Sequence, residues 1–243
     1  VPEVLSHRPS FRDERPRDRV RFLSILDGRV WYRKGLDLLL HAWQMAFRGD
    51  EPVELVLKTN LSLEELLRGM GWPRPLRGAP IRVLSGHMEA DAIQELYATA
   101  DALVLPSRGE GAGRPLLDAL LAGVPVVTTR ATGQADLLPE EGVVFCEPVR
   151  LVSTRNIRQV RYPFYPQAQW AEADVRDIVD ALRLVANRPG EPRAAARVGS
   201  DWLWSRYAPE TVATLLSGRL GRTLEVPSRE AVPTRDHFLA LNP

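Results

Sequence analysis

DALVLPSRGEGAGRPLLDALLAGVPVVTT, Asp101 to Thr129, is the stretch on which the fold of this 243-residue chain turns. Ala102 to Leu105 is an apolar run of strand length, too short for a helix. Pro106 and Ser107 end it. The loop Arg108-Gly-Glu-Gly-Ala-Gly-Arg114 carries three glycines in five residues, and Pro115 falls where a first helical turn tolerates proline. Leu116, Leu117, Leu120 and Leu121 recur at helical spacing, and Gly123 stops the helix. Val124 to Thr128 is apolar and β-branched. The stretch therefore reads as strand, glycine-rich loop, helix, tight turn, strand.

Such a loop has a physical use. Its amides are unpaired and sit at the positive end of a helix, which suits an anionic or hydroxyl-rich ligand. The glycines let that ligand approach the backbone. Glu110 stands in the mouth of the turn. Asp118 follows two helical turns on, so both carboxylates can look towards one cleft. The plainer alternative is a capped helix with solvated acids.

Outward from there the chain alternates strand and helix. Val20 to Leu26, Val53 to Lys58 and Ile81 to Leu84 are strands, and Val143 to Cys146 reads as the last. A helix starts near Gly35 with Leu36, Leu39, Leu40, Trp43 and Phe47 on one face. Ser62-Leu-Glu-Glu65 is a capping sequence for a second helix, to about Met70. Glu89 to Thr99 and Gly133 to Leu138 are helical, as are Ala171 to Ala186 (with Val175, Ile178, Val179, Leu182 and Val185 on its apolar face), Glu191 to Arg206 and Pro209 to Leu216. Alternation of this kind predicts an α/β domain, a Rossmann-like parallel sheet with helices on both faces and further helices at its C-terminal end, over residues 20–217. Residues 1–19 read as a linker or entry segment and 218–243 as a tail with little order signal. Residues 147–170 are long, aromatic and basic, without clear periodicity, as functional connections often are. In parallel sheets ligands bind at the carboxyl ends of the strands, and the polar clusters Gly28 to Lys34, Ser85 to Met88 and Ser107 to Gly113 all fall there.

Composition narrows the function classes. Basic and acidic residues number 32 and 31, a net charge of +1, which argues against a dedicated nucleic-acid binder. The single cysteine, Cys146, excludes an internal disulfide framework and a cysteine-rich metal site, and fits a reducing compartment. After Val143-Val144-Phe145 it reads as a buried, inert thiol. No apolar run approaches a membrane span, and the charged, proline-containing start is unlike a signal peptide. The expectation is a cytoplasmic protein, free or peripheral at a membrane. Val1 is not a translation start, so the chain reads as a piece of something longer.

Glu110 through Asp118 resembles the E-x7-E motif of glycosyltransferase family 4, retaining enzymes of the GT-B fold. Ser107 through Pro115, followed by Asp118-Ala119 and Gly123-Val-Pro125, is similar to that family's donor-site signature. Two positions depart from it. The second acid is usually Glu and is Asp118 here, and the residue between the last two loop glycines is often aromatic and is Ala112 here. Gly28-Arg29 and Lys34 resemble the family's G-R-x4-K pattern, which holds a donor's diphosphate; a solvated turn is the other reading of these cations. Arg33-Lys34-Gly35-Leu36-Asp37, Leu57-Lys58-Thr59-Asn60, Leu96-Tyr97, Ala100-Asp101, Gly133-Gln134 and Trp170-Ala171-Glu172 resemble a bacterial branch of group 1 glycosyltransferases. The likeness covers about residues 20–215 and matches only the C-terminal, donor-binding half of a GT-B enzyme.

The resemblance implies a retaining transfer of sugar from a nucleotide-diphosphate sugar to a carbohydrate or other hydroxyl acceptor. Arg29 and Lys34 would stabilise charge on the departing diphosphate, and Glu110 would contact hydroxyls of the transferred sugar. Amides of Gly111, Ala112 and Gly113 would meet sugar and phosphate, beside Gly28 and Gly109. Asp118 would accept from the ribose hydroxyls, and Gly86, His87 and Met88 would lie beside the nucleobase. Alternation with Lys34 points Arg33 elsewhere, yet the segment before Lys34 is slightly longer than usual, so Arg29 and Arg33 can exchange roles. His87 is the best-placed histidine, although a lone histidine is more often a surface or packing residue. No metal and no cofactor are implied: no D-x-D ends a strand, and cations take the metal's task. The N-terminal half of such an enzyme, in cis or in trans, would be the partner. The alternative is a non-catalytic nucleotide-sugar-binding or interaction module, which Asp118, Ala112 and the missing half favour. A third class, a basic-aromatic surface over 150–170 for nucleic acid or membrane, is disfavoured by the balanced charge.

Overall fold

The computed structural model describes residues 18–72, 75–154 and 168–220. Six apolar runs pair side by side as β1 (Val20–Ile25), β2 (Val53–Lys58), β3 (Ile81–Leu84), β4 (Ala102–Leu105), β5 (Val126–Thr129) and β6 (Val143–Cys146). Every pairing is parallel, in the order β3-β2-β1-β4-β5-β6. All residues of β4 and β5 are buried, as a sheet covered on both faces requires. Val124 falls outside β5 because its N–H is taken by the Ala119 carbonyl, which closes the preceding helix.

The connecting helices are α1 (Leu36–Ala46), α2 (Leu63–Met70), α3 (Ala90–Thr99), α4 (Arg114–Leu121) and α5 (Thr132–Leu137). On α1 the expected face of Leu36, Leu39, Leu40 and Trp43 is fully buried. Ser62 and Glu65 close the start of α2 with reciprocal side-chain-to-backbone bonds. Right-handed crossovers put α1 and α2 on one face of the sheet and α3, α4 and α5 on the other. Burial pushes the Cys146 thiol up to about 12, so it stays protonated and unreactive at neutral pH.

β6 is not the last strand. β7 (Pro148–Ser153) and β8 (Gln169–Ala173) form a separate antiparallel ribbon, with a bulge between Pro148 and Arg150. Its pattern was hard to read because Val149 and Leu151 are both exposed, so no inside-outside alternation marks β7. In β8 the alanines and Glu172 are good helix formers and mimic the start of a helix. The helix that was expected from Ala171 is α6 (Val175–Asn187), and it begins where the Asp174 carboxylate accepts from the Arg176 N–H at 2.8 Å. α6 packs on α1, and Arg183 pairs there with Glu51.

α7 (Gly190–Tyr207) lies against α4, where the buried Ser200 hydroxyl donates to the Leu121 carbonyl at 2.9 Å. The chain divides into two compact units between Leu203 and Trp204. The sheet, its helices and the ribbon belong to the first. Of the second, the described residues are the end of α7 and α8 (Pro209–Leu220), which runs four residues past the expected Leu216. The expected linker and tail, and Arg155, Arg158, Arg161, Tyr162, Phe164 and Tyr165 of the aromatic-basic connection, lie outside the described residues, apart from Asp18, Arg19 and 218–220.

The strand order reverses between β1 and β4, so the loops that leave their carboxyl ends share one crevice. These loops touch at Gly35, φ 68°, where a Cβ would lie 1.9 Å from the Pro106 carbonyl oxygen. Gly35→Ala adds both that clash and left-handed strain, with an expected loss of about 3 kcal/mol. Thermal unfolding should show a midpoint roughly 6–12 °C lower; an unchanged midpoint would mean that the loops yield.

Candidate functional site

After β1 the chain makes a short 3-10 turn, Gly28–Val30, capped by Asp27. The Asp27 carboxylate accepts from the Arg29 N–H at 2.9 Å and grips the Arg29 guanidinium at 2.7 Å. Those bonds to Arg29 hold Asp27 down at about 2, against a smaller opposing effect of burial. Arg29 is 72% exposed, so its charge is spent on its own turn. The Gly28 N–H donates to the Asn60 side chain at 2.8 Å, and a Cβ on Gly28 would strike Leu66 and the Thr59 hydroxyl.

Lys34 and Glu110, 76 positions apart in the chain, meet at 2.7 Å across the reversal point. The Glu110 side chain is 5% exposed and that of Lys34 11%. The Ser107 hydroxyl donates to the same carboxylate oxygen at 2.5 Å. Arg33 lies 3.3 Å from the other oxygen and donates to the Gly109 carbonyl at 2.6 Å. Alternation was expected to turn Arg33 away. It does not, because residues 31–35 form a turn and not a strand, which brings neighbouring side chains to one side. Two cations against one carboxylate leave one excess positive charge at the site.

Arg108, 1% exposed, fixes this geometry from beneath. Its guanidinium bonds both Asp37 oxygens at 2.8 and 2.7 Å, the Tyr32 carbonyl at 2.5 Å and Glu172 at 2.7 Å, and it stacks 3.8 Å from the Tyr32 ring centroid. Its own N–H donates to the Arg33 carbonyl, and its carbonyl accepts from the Ala171 N–H. Arg150 neutralises the other oxygen of Glu172. Burial is the largest single influence on Arg108 and opposes its charge, but the bond to Asp37 and the negative charges around it, taken together, still raise its affinity for the proton.

A cleft of about 530 Å³ opens beside Glu110, lined by Arg33, Gly109, Glu110, Gly111, Thr132, Ala168, Gln169 and Trp170. The Trp170 indole packs so close to Gly109 that a Cβ there would lie 3.1 Å from it. Gly113, φ 66°, begins α4, and Gly111 and Ala112 precede it in the same loop. Asp118 is not part of this lining; it faces Arg114 of its own helix at 3.4 Å. Gly86, His87 and Met88 follow β3, which is separated from β4 by two strands, β2 and β1. His87 is exposed and pairs with Glu89. Lys58, which is buried, donates to the Thr59 and Gly86 carbonyls and so tethers that loop, and burial pulls its pKa down. Thus the structure joins Arg33, Gly109, Glu110 and Gly111 at one cleft, pairs Lys34 with Glu110 beside it, and sets Arg29, Asp118 and His87 against local partners.

Residue order did not single out Thr132, Gln169 or Trp170 for the cleft, nor Arg108 for the support behind it. Buried arginine with two distant acids leaves no local pattern, and nothing in a threonine marks a left-handed backbone. Among the described residues no helix is long and apolar enough to cross a membrane.

Residues 21–156 match the model of a protein family described as glycosyl transferases group 1. The chain is 32% identical over 148 residues to sulfoquinovosyl transferase SQD2 of Arabidopsis thaliana, covering 56% of this chain and 26% of that one. Its fold is similar to that of TarM, with a TM-score of 0.65 at 15% identity over 90% of this chain and 37% of that one. It is also similar to the C-terminal domain of a glycosyl transferase group 1 family protein (LpcC) from Francisella tularensis. There the TM-score is 0.57 at 16% identity, over 82% of this chain and 96% of that one. The chain thus spans well under half of the first two proteins and nearly all of an isolated C-terminal domain.

Arg108→Met should leave the half-buried Asp37 without its cation and the buried Glu172 with Arg150 alone, at about 3 kcal/mol. Adding Glu172→Gln to that variant should recover part of the loss, a non-additivity that chemical denaturation reads directly. Strictly additive losses would mean that the two side chains do not act as a pair.

Proposed function

This chain belongs to the glycosyl transferases group 1 family, and from that premise we propose that it is the donor-binding half of a retaining glycosyltransferase of the GT-B fold. The observation that carries the reading is the meeting of Lys34 and Arg33 with Glu110 beside a cleft at the strand-order reversal. The ligand this suits is a nucleotide-diphosphate sugar. Excess positive charge and the amides of Gly111, Ala112 and Gly113 at the start of α4 favour a diphosphate. Glu110 accepts from hydroxyls of the sugar, and Asp118 from the ribose, reached past Arg114 or through water. The loop at Gly86, His87 and Met88 borders the nucleobase.

In the transfer, the bond between the anomeric carbon and the diphosphate oxygen breaks and its electron pair leaves with the diphosphate. The acceptor oxygen bonds the anomeric carbon on the same face, and its proton passes to the departing diphosphate. No side chain of this chain acts as nucleophile. Lys34, with Arg33 in the place the resemblance gives to Arg29, stabilises the charge as it grows, a job for fixed cations that a metal would otherwise do. The acceptor and the residues that hold it belong to an N-terminal half, in cis or in trans. One observation favours a second reading, a binding module without transfer: Arg29 is taken up by Asp27, which removes one of the expected cations.

Calorimetry with nucleosides, nucleoside diphosphates and nucleotide-diphosphate sugars should show binding that requires the diphosphate. Arg33→Gln should weaken it by about tenfold, the worth of one charge-assisted contact. Equal binding of nucleoside and nucleoside diphosphate, or none at all, would refute the assignment. Binding that never leads to transfer once the acceptor half is supplied would select the module.

A further inference from the structure

Thr132 is the one described residue other than glycine with a positive φ, 53°. A β-branched side chain is poorly accommodated there, and such strain persists only where surrounding structure holds it. Glycine would adopt the same backbone freely. What threonine adds is a hydroxyl, and each of its bonds leads back to Glu110. The Glu110 N–H donates to Thr132 Oγ1 at 3.0 Å, and the hydroxyl lies 2.9 Å from Gln134 Oε1, positioned to donate. The fully buried Gln134 amide donates to the Ser107 carbonyl at 3.2 Å and to the Thr129 carbonyl at 3.3 Å. Ser107 closes the circuit with its hydroxyl on Glu110 Oε1. The next residue adds a bond, from the Gly133 N–H to the Glu110 carbonyl at 3.1 Å. Gly133 is glycine for space, since a Cβ would lie 1.5 Å from the Gly111 carbonyl oxygen.

We propose that Thr132 is a positioning residue for Glu110: its hydroxyl, held in a strained backbone at the edge of the cleft, fixes the Glu110 amide and, through Gln134 and Ser107, its carboxylate. The functional sense of this rests on the nucleotide-sugar reading given above, whereas the hydrogen-bonded circuit stands apart from it. Strain at residue 132 accompanies the orientation of Glu110, the acid that pairs with both Lys34 and Arg33.

Thr132→Gly removes the hydroxyl and the strain together, and Thr132→Ser keeps the hydroxyl. In Thr132→Gly the thermal midpoint should stay within about 3 °C of wild type, because relief of strain offsets lost hydrogen bonds. Amide hydrogen exchange at Glu110 should be roughly tenfold faster while the strands keep their protection. Binding of the nucleotide-diphosphate sugar preferred by the wild type, chosen from uridine, guanosine, adenosine and cytidine donors, should weaken about tenfold. Thr132→Ser should resemble wild type in both exchange and binding. Unchanged Glu110 exchange in Thr132→Gly would overturn the proposal, as would a fall in midpoint that loosens the whole sheet in step. If the wild type binds none of the donors, the nucleotide-sugar reading fails, and the exchange comparison still decides the role of Thr132.

Discussion

A guanidinium buried to 1% exposure, that of Arg108, ties its own loop to two stretches far from it in the chain, residues 32–37 and the ribbon. Asp37 begins α1, the Tyr32 carbonyl belongs to the turn before it, and Glu172 comes from the ribbon. An isolated buried charge would be prohibitive, but here two carboxylates, a carbonyl and an aromatic face receive it. Arginine suits this place where lysine would not, because a planar fork can satisfy acceptors on several sides at once. The turn that carries Arg33 and Lys34 and the loop that carries Glu110 are thereby set against each other before any ligand arrives. Preorganisation of that kind is what electrostatic stabilisation of a leaving group demands.

Around this anchor the loops are packed to the limit of backbone contact. Gly35 sits against the Pro106 carbonyl and Gly133 against the Gly111 carbonyl, with no room for a methyl group at either. The first contact joins the loops after β1 and β4, and the second joins the glycine-rich turn to the start of α5. Close approach leaves Lys34, Arg33 and Glu110 as a largely buried cluster with one positive charge to spare. That charge stands beside the cleft, where the low dielectric of the walls makes it count for more than it would at an open surface.

The ribbon of β7 and β8 changes how the site is enclosed. Apart from it and the adjoining Ala168, the lining consists of Arg33, the glycine-rich turn and Thr132. Gln169 and Trp170 of the ribbon close the cleft, and Trp170 seats the glycine-rich turn at Gly109. The ribbon is fastened to the sheet through the Arg108 backbone and through Glu172, so the same arginine serves both the floor and the wall.

Much of this was legible from residue order alone. The six parallel strands, the helices between them, the capped start of α2 and the glycine-rich turn follow from local periodicity and turn chemistry, which short segments carry by themselves. The apolar run of β4 and the helical spacing of Leu116, Leu117, Leu120 and Leu121 needed no partner to be read. Other features had no such signature. The ribbon lacks alternation because Val149 and Leu151 both face solvent, and Glu172 resembles a helix former until its arginine is known. Arg33 looked misdirected because alternation was applied to what is a turn. Whether Lys34 finds Glu110 and why Thr132 takes a left-handed backbone depend on which loops the sheet order brings together. Sequence by itself determined the elements and the kinds of residue at their ends, since propensity and periodicity act over a few neighbours. Tertiary structure alone decided which charges meet, because pairing across 64 to 76 positions is set by strand order and close packing and by nothing adjacent in the chain.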